Sequence, residues 1–320
     1  MKISLLEPIG IDNELIDRLA EPIRQKGHEF VYFDSKTTDE DELCKRASDS
    51  DIVIIANNPL PNGVIEKCRN LKMLDVAFTG IDHVGLSACK SKNVMICNAA
   101  GYSNETVSEL VIGMAVSVLR KIPEGDRTVR NGGTLASAGL IGTELNTKTV
   151  GIIGTGRIGI MTAKLFKAFG CRVLGYSRTH KDEAVNVGIE YVELNELLTE
   201  SDIVSLHIPS TEETRNYINK ERIALMKSSA ILINCARGAV VDNTALAEAL
   251  NNDKIAGAAI DVFDMEPPIP EHYPLLHAKN TLLTPHVAFA SKESMIRRAN
   301  IVFKNIYTYI EGKPENIVNY

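Results

Sequence analysis

Residues 149–159 read Thr-Val-Gly-Ile-Ile-Gly-Thr-Gly-Arg-Ile-Gly, and this run constrains the chain more than any other. A buried-type run, Val150–Ile153, leads into a G-x-G-x-x-G turn, and a helical run from Ile160 to Phe169 follows, closed by Gly170. Gly154 permits the tight turn, Gly156 lets backbone approach a pyrophosphate, and Gly159 lets the next helix pack on the strand. Thr155 sits between the first two glycines, and the N–H groups of Arg157 and Ile158 at the helix start face the anion, aided by the helix dipole. A strand before and a helix after make this a dinucleotide-binding turn in context rather than a bare pattern.

The turn belongs to a longer rhythm. Short β-branched runs alternate with amphipathic stretches, the pattern of parallel sheets joined by crossover helices. The first hundred residues predict strands at 3–6, 29–33, 52–56, 73–77 and 94–97, with helices near 12–26, 39–48, 63–69 and 84–90. A long helix is expected over Glu105–Lys121, then a Gly-, Thr-, Ser- and Asn-rich connector over Pro123–Thr147 with one short helix. A second α/β series starts at Thr149, and a helix over Lys292–Glu311 ends the chain. At 320 residues, two domains are expected.

Bulk properties exclude several partners. The net charge of −6 with scattered Lys and Arg argues against nucleic acid or an anionic membrane. The N-terminus turns acidic within seven residues and does not read as a signal peptide. The longest apolar stretch, Val107 to Leu119, is too short to span a bilayer. Six cysteines without a C-x-x-C pair read as reduced thiols, so a cytoplasmic protein without a metal is expected.

At the end of the second strand of the series an acidic residue would accept the ribose hydroxyls of NAD. That stretch reads Gly175-Tyr176-Ser177-Arg178-Thr179, and the nearest carboxylate is Asp182. Ser177, Arg178 and Thr179 suit a 2′-phosphate, with Arg178 as its charge-assisted partner, so NADP(H) is favoured over NAD(H). Further on, Asn234-Cys235-Ala236-Arg237-Gly238, Asp261 to Pro267 and Thr284-Pro285-His286-Val287-Ala288 place polar residues at predicted strand ends, where open α/β sheets bind ligands.

Five ordered blocks, TVGIIGTGRIG, SLHIPSTEETRNYIN, INCARGAVVD, AAIDVFDMEPP and LLTPHVA, resemble the D-isomer-specific 2-hydroxyacid dehydrogenase family across essentially the whole chain. The resemblance implies two doubly wound parallel-sheet α/β domains flanking a cleft. A Rossmann NAD(P)-binding domain, 102–289, is inserted into a flavodoxin-like substrate-binding domain, 1–101 plus 290–320. It implies that Arg237 binds the substrate carboxylate through its planar fork of donors. His286 is the proton donor in reduction, and Glu266 orients its ring and favours its charged form. It also implies substrate contacts at Thr79 and Gly80, and cofactor contacts at His207, Pro209, Thr214, Cys235, Ala236, Asp261 and His286. Phe78 and His83 stand where the family usually has a small residue and an Asn.

The activity so implied is reduction of a small 2-oxo acid such as glyoxylate, hydroxypyruvate or a pyruvate-like compound, by a homodimer joined through the 105–147 region. Two alternatives accompany it: a phosphoglycerate dehydrogenase-like enzyme without a regulatory domain, and a non-catalytic dinucleotide sensor, since fold and function separate.

Overall fold

The computed structural model describes residues 1–265 and 268–319, with the side chains of Ser137 and Ala138 left out. The chain divides into two compact units, residues 1–103 with 290–320 and residues 104–289.

The first unit alternates β1 (Lys2–Leu5), α1 (Asn13–Gln25), β2 (Glu29–Tyr32), α2 (Glu40–Ala47), β3 (Ile52–Ile55), α3 (Asn62–Lys67), β4 (Met73–Val76), α4 (Leu86–Ser91) and β5 (Met95–Asn98). All its ladders are parallel, in the order β2-β1-β3-β4-β5. A central parallel strand is covered on both faces, so it reads as a continuous apolar run, and Ile52 to Ile55 are all buried. Each such side chain contributes about 1.5–3 kcal/mol by leaving water. Asp12 and Asp39 cap α1 and α2 by accepting the N–H groups of Leu15 and Glu42.

The second unit opens with α5 (Asn104–Leu119), α6 (Ile122–Arg130) and α7 (Leu135–Ala138). The expected connector therefore holds two helices instead of one. Pro123 disguises α6 in the sequence, yet proline is tolerated in a first turn, where its missing N–H would have no partner. Also, α6 buries none of its residues, so no apolar stripe against its own unit announces it.

The series continues through β6 (Thr149–Ile153), α8 (Arg157–Ala168), β7 (Arg172–Tyr176), α9 (Asp182–Asn186), β8 (Ile189–Tyr191), α10 (Leu194–Glu200), β9 (Ile203–Leu206), α11 (Lys220–Leu225), β10 (Ile231–Asn234), α12 (Asn243–Asn251), β11 (Gly257–Ile260) and β12 (Thr281–Leu283). The sheet has seven parallel strands in the order β12-β11-β10-β9-β6-β7-β8. The direction of winding reverses between β6 and β9, and ligands of such sheets bind at that switch point.

The chain then returns to the first unit as α13 (Lys292–Ile310), opened by a capping box between Ser291 and Ser294. It packs on α1 and β4, with the Phe303 ring 5.3 Å from that of Phe30. The tail beyond it joins the free edge of β5 through an antiparallel bridge between Ile317 and Cys97.

Candidate active site

Gly154 follows β6 at φ +100°, in the left-handed region, and a Cβ there would lie 2.4 Å from the carbonyl oxygen of His207. At Gly159 a Cβ would lie 2.1 Å from the Gly154 carbonyl, so α8 can start this close to the turn only on a glycine. At Gly156 a Cβ would meet nothing within 4 Å, and this N-cap residue supplies no capping side chain. The first N–H groups of α8, including those of Arg157 and Ile158, have no helical carbonyl behind them. Open space above uncapped donors at a helix start suits a pyrophosphate.

Beside the turn lies a cavity of about 320 Å³, within the range of small-molecule sites. It brings together Gly154, Thr155, Gly156, Ser177, Arg178, Thr179, His207, Pro209 and Thr214. Ile153, at the end of β6, also lines it, as do five residues that sequence reasoning did not assign to the site: Tyr176, Lys181, Ile208, Glu213 and Tyr217. Tyr176 ends β7 and the others lie on the loops after β7 and β9; Ile208, Glu213 and Tyr217 fall within the SLHIPSTEETRNYIN block, but no chemistry of their own singled them out. Lys181 adds a second cation near Arg178, while Glu213 brings a carboxylate into the same space. Thr214 Oγ donates to the Pro209 carbonyl at 2.6 Å and accepts the Thr211 N–H at 2.7 Å, which folds the post-β9 loop over the cavity. The shape and donors fit the adenosine and pyrophosphate portion of a nicotinamide dinucleotide. His207 is pushed down to about 4 by burial, so its imidazole is neutral, and its Nε2 lies 2.9 Å from Ser205 Oγ.

Cys235, Ala236, Arg237, Asp261 and His286 stand at the next strand ends and are not part of that cavity. Asn234, fully buried at the end of β10, accepts the Ala236 N–H at 3.0 Å and donates to the Arg237 carbonyl at 2.9 Å. This closes a small turn that presents Arg237. A Cβ at Gly238 would overlap the Phe263 backbone, so the turn lies directly against the loop after β11. Burial raises the Cys235 thiol well above its ordinary range, which leaves it neutral, 3.6 Å from Met114 Sδ. Glu266 lies outside the described residues.

Asp261 is fully buried, and its carboxylate accepts the Thr284 hydroxyl at 2.6 Å and the N–H groups of Val287 and Ala288 at 2.8 and 2.9 Å. Its carbonyl accepts the His286 N–H at 2.8 Å. Together these bonds surround His286, whose backbone sits at φ +56°, a left-handed conformation uncommon for non-glycine residues. The His286 ring meets Phe289 edge-on at 5.3 Å. Asp261 thus shapes the loop that carries His286, which its place in the sequence did not disclose.

Across this sheet edge Arg178, Gly154, His207, Arg237, Asp261 and His286 follow β7, β6, β9, β10, β11 and β12, which are consecutive neighbours. Strands are about 4.8 Å apart, so β10 and β12, the strands that Arg237 and His286 follow, run roughly 10 Å apart.

In the first unit, Phe78-Thr79-Gly80 follows β4. Among the described residues, the N–H groups of Thr79 and Gly80 donate to no protein acceptor, and so are open to an anion. Asn98 Nδ2 donates to the Thr79 carbonyl at 2.8 Å while its Oδ1 accepts the Ala100 N–H. Phe78 packs against His83 and Tyr102, at 6.4 and 6.1 Å between ring centres, so the two departures from the usual family wording touch each other. His83 Nε2 lies 2.9 Å from the Ala56 carbonyl. Glu7, after β1, accepts the N–H groups of Ala56 and Asn58 at 2.7 and 3.0 Å, and burial raises its pKa. Glu7 and Asn98 brace this edge, and sequence reasoning named neither.

Residues 112–288 match the D-isomer specific 2-hydroxyacid dehydrogenase, NAD binding domain, family model. The chain is 36% identical over 321 residues to a hydroxypyruvate reductase of Blautia hydrogenotrophica, covering 98% of this chain and 97% of that one. An acyclic imino acid reductase solved in complex with NADPH and D-Arg superposes with a TM-score of 0.89 at 31% identity, over 100% of both chains. A D-lactate dehydrogenase from Aquifex aeolicus, complexed with NAD and lactic acid, gives 0.86 at 30% identity over 98% of each.

Proposed function

Because the chain belongs to the D-isomer specific 2-hydroxyacid dehydrogenase family, and is a nicotinamide-dependent oxidoreductase acting on CH–OH donors, we propose that it reduces small 2-oxo acids such as hydroxypyruvate, glyoxylate and pyruvate-like compounds to D-2-hydroxy acids. The observation that carries this reading is the ordered array along the seven-stranded sheet, from the glycine turn to Arg237 and His286.

A nicotinamide dinucleotide, which the glycine turn and the cavity residues would hold, would supply the hydride when bound. Arg237 holds the substrate carboxylate by two parallel hydrogen bonds and draws electron density from the adjacent carbonyl. Protonated His286 donates to the carbonyl oxygen as negative charge grows there; in the reverse direction it removes the hydroxyl proton. By the family resemblance, Glu266 would orient the imidazole of His286. The N–H groups of Thr79 and Gly80, which donate to no acceptor among the described residues, are assigned to a carboxylate of the substrate. Asp261 holds the loop in place, and Cys235, Ala236, His207, Pro209 and Thr214 wall the cofactor path.

NADP(H) is favoured over NAD(H), supported by Arg178 and Lys181 beside Ser177 and Thr179. The substrate-binding domain is assigned to 1–101 plus 290–320 and the NAD(P)-binding domain to 102–289. A homodimer is supported by apolar side chains left open on the segment after α5, with Ile122, Val129, Leu135 and Ile141 between 51% and 82% exposed. A cytoplasmic location is supported by six free cysteines, and no described helix is long and apolar enough to cross a membrane.

The test is a matrix of NADH and NADPH against glyoxylate, hydroxypyruvate, pyruvate and bulkier 2-oxo acids. Oxidation of NADPH with a small 2-oxo acid is expected. Silence across the whole matrix would sink the enzyme reading and favour a dinucleotide sensor.

A further inference from the structure

The segment 177–181 has no regular secondary structure, yet it must keep a fixed distance from the glycine turn if one molecule is to touch both. One side chain joins them. Tyr191, half-buried at the end of the edge strand β8, places its hydroxyl 2.7 Å from Thr155 Oγ and 3.2 Å from the backbone nitrogen of Lys181, whose N–H it accepts. A phenol offers one donor and two lone pairs, so both partners are served at once. Its ring also stacks under His180, centre to centre 3.9 Å with the planes 12° apart. Thr155 is almost fully buried, and its hydroxyl has no other partner among the described residues. Gly175, opposite Tyr191 in the ladder, makes room chiefly for Ile189, which a Cβ there would meet at 2.4 Å, and to a lesser degree for the Thr155 methyl at 3.3 Å.

We propose that Tyr191 is a positioning residue for cofactor selection, its phenol oxygen setting the spacing between the pyrophosphate turn and the segment that reads the 2′ substituent of the adenosine ribose. This rests on the reading that Ser177, Arg178 and Thr179 face that substituent. The pyrophosphate fixes one point of the ligand and the ribose lies one sugar away. An Arg178 that drifts therefore loses the 2′-phosphate while leaving the turn's grip on the diphosphate intact. A merely structural Tyr191 would weaken every nucleotide alike.

Tyr191→Phe keeps the ring and its stack on His180 and removes only the oxygen. Calorimetric titration with adenosine 2′,5′-bisphosphate and with AMP separates the two roles without turnover. The bisphosphate should weaken roughly tenfold and AMP less than about threefold, the loss expected from one or two hydrogen bonds. In assays, KM for NADPH should rise by a similar factor with kcat within about twofold, since the reacting atoms are untouched. Thr155→Val, which removes the same bond from its other end, should reproduce the selective loss and add little to Tyr191→Phe. It also serves if the tyrosine variant does not fold. Equal weakening of both ligands, or no weakening, overturns the proposal. Arg178→Ala is measured alongside: if it too leaves the bisphosphate preference intact, the underlying reading fails. If Arg178→Ala abolishes the preference and Tyr191→Phe does not, only the role of Tyr191 falls.

Discussion

The two sheets present their C-terminal edges by different means. In the seven-stranded sheet the central turn is fixed by what the backbone lacks: Gly154 at φ +100° and Gly159 against a carbonyl leave no room for a side chain. In the five-stranded sheet the corresponding loops are fixed by what side chains add. Glu7 gathers two N–H groups after β3, and Asn98 ties down the Thr79 carbonyl after β4. An edge built on missing atoms announces itself in sequence as spaced glycines. An edge built on braces does not, because Glu7 and Asn98 look ordinary until strand register brings them to their partners.

The largest effect should come from the end of the first edge. His286→Ala is expected to lower kcat by about a hundredfold or more, the usual scale for a lost proton donor, while fluorescence titration shows cofactor still binding. Turnover within tenfold of the parent would remove His286 from the chemistry.

The glycine edge itself can be broken in two distinguishable ways. Gly154→Ala combines positive φ with a clash and should cost about 1–3 kcal/mol of stability from backbone strain alone, seen as a lower thermal midpoint. Gly156→Ala meets no neighbour, so its midpoint should stay near the parent's while cofactor KM rises. If the two variants melted alike, the turn would be less a matter of excluded atoms than the geometry indicates.

On the braced edge, Asn98→Asp keeps the acceptor for the Ala100 N–H and replaces the donor to Thr79 by a charge. KM for the 2-oxo acid should rise roughly tenfold with NADPH affinity unchanged, from loss of one hydrogen bond and the added repulsion. An unchanged KM would show that the loop holds its shape unaided.

A pH-dependent effect concerns Asp75 in the same sheet. Burial raises its pKa from 3.8 to about 8, although Asn305 donates to one of its oxygens at 2.9 Å. Between those values the folded state holds a proton that the unfolded chain has released, so stability falls as pH rises from about 4 to about 8. Asp75→Asn should flatten that slope in denaturant titrations across the interval; an identical slope would place the proton elsewhere.

Much of the architecture was legible because parallel strands buried on both faces must be apolar runs, and helices between them must be amphipathic. The strand before the glycine turn was readable to within one residue, Val150–Ile153 against Thr149–Ile153. Three things were not. The helix Ile122–Arg130 buries nothing and carries a proline in its first turn, so its apolar positions mark no face packed on its own unit. Glu213 and Lys181 enter the cavity from loops whose paths depend on Thr214 and Tyr191, contacts that exist only after folding. Asp261, conspicuous as a polar residue at a strand end, spends its carboxylate on the loop that carries His286.

The return of the chain to the first unit as α13 has a consequence for synthesis on the ribosome. Strands β1 to β5 emerge first, but Phe303 against Phe30, Asn305 on Asp75 and Arg298 on the Ile9 carbonyl all come from the last segment made. At about 5–20 residues per second, the intervening unit delays that helix by roughly ten to forty seconds. During this interval one side of the nascent five-stranded sheet waits uncovered, while the glycine-turn unit can already close. The newborn chain is thus most dependent on a holding chaperone in the half that is translated first.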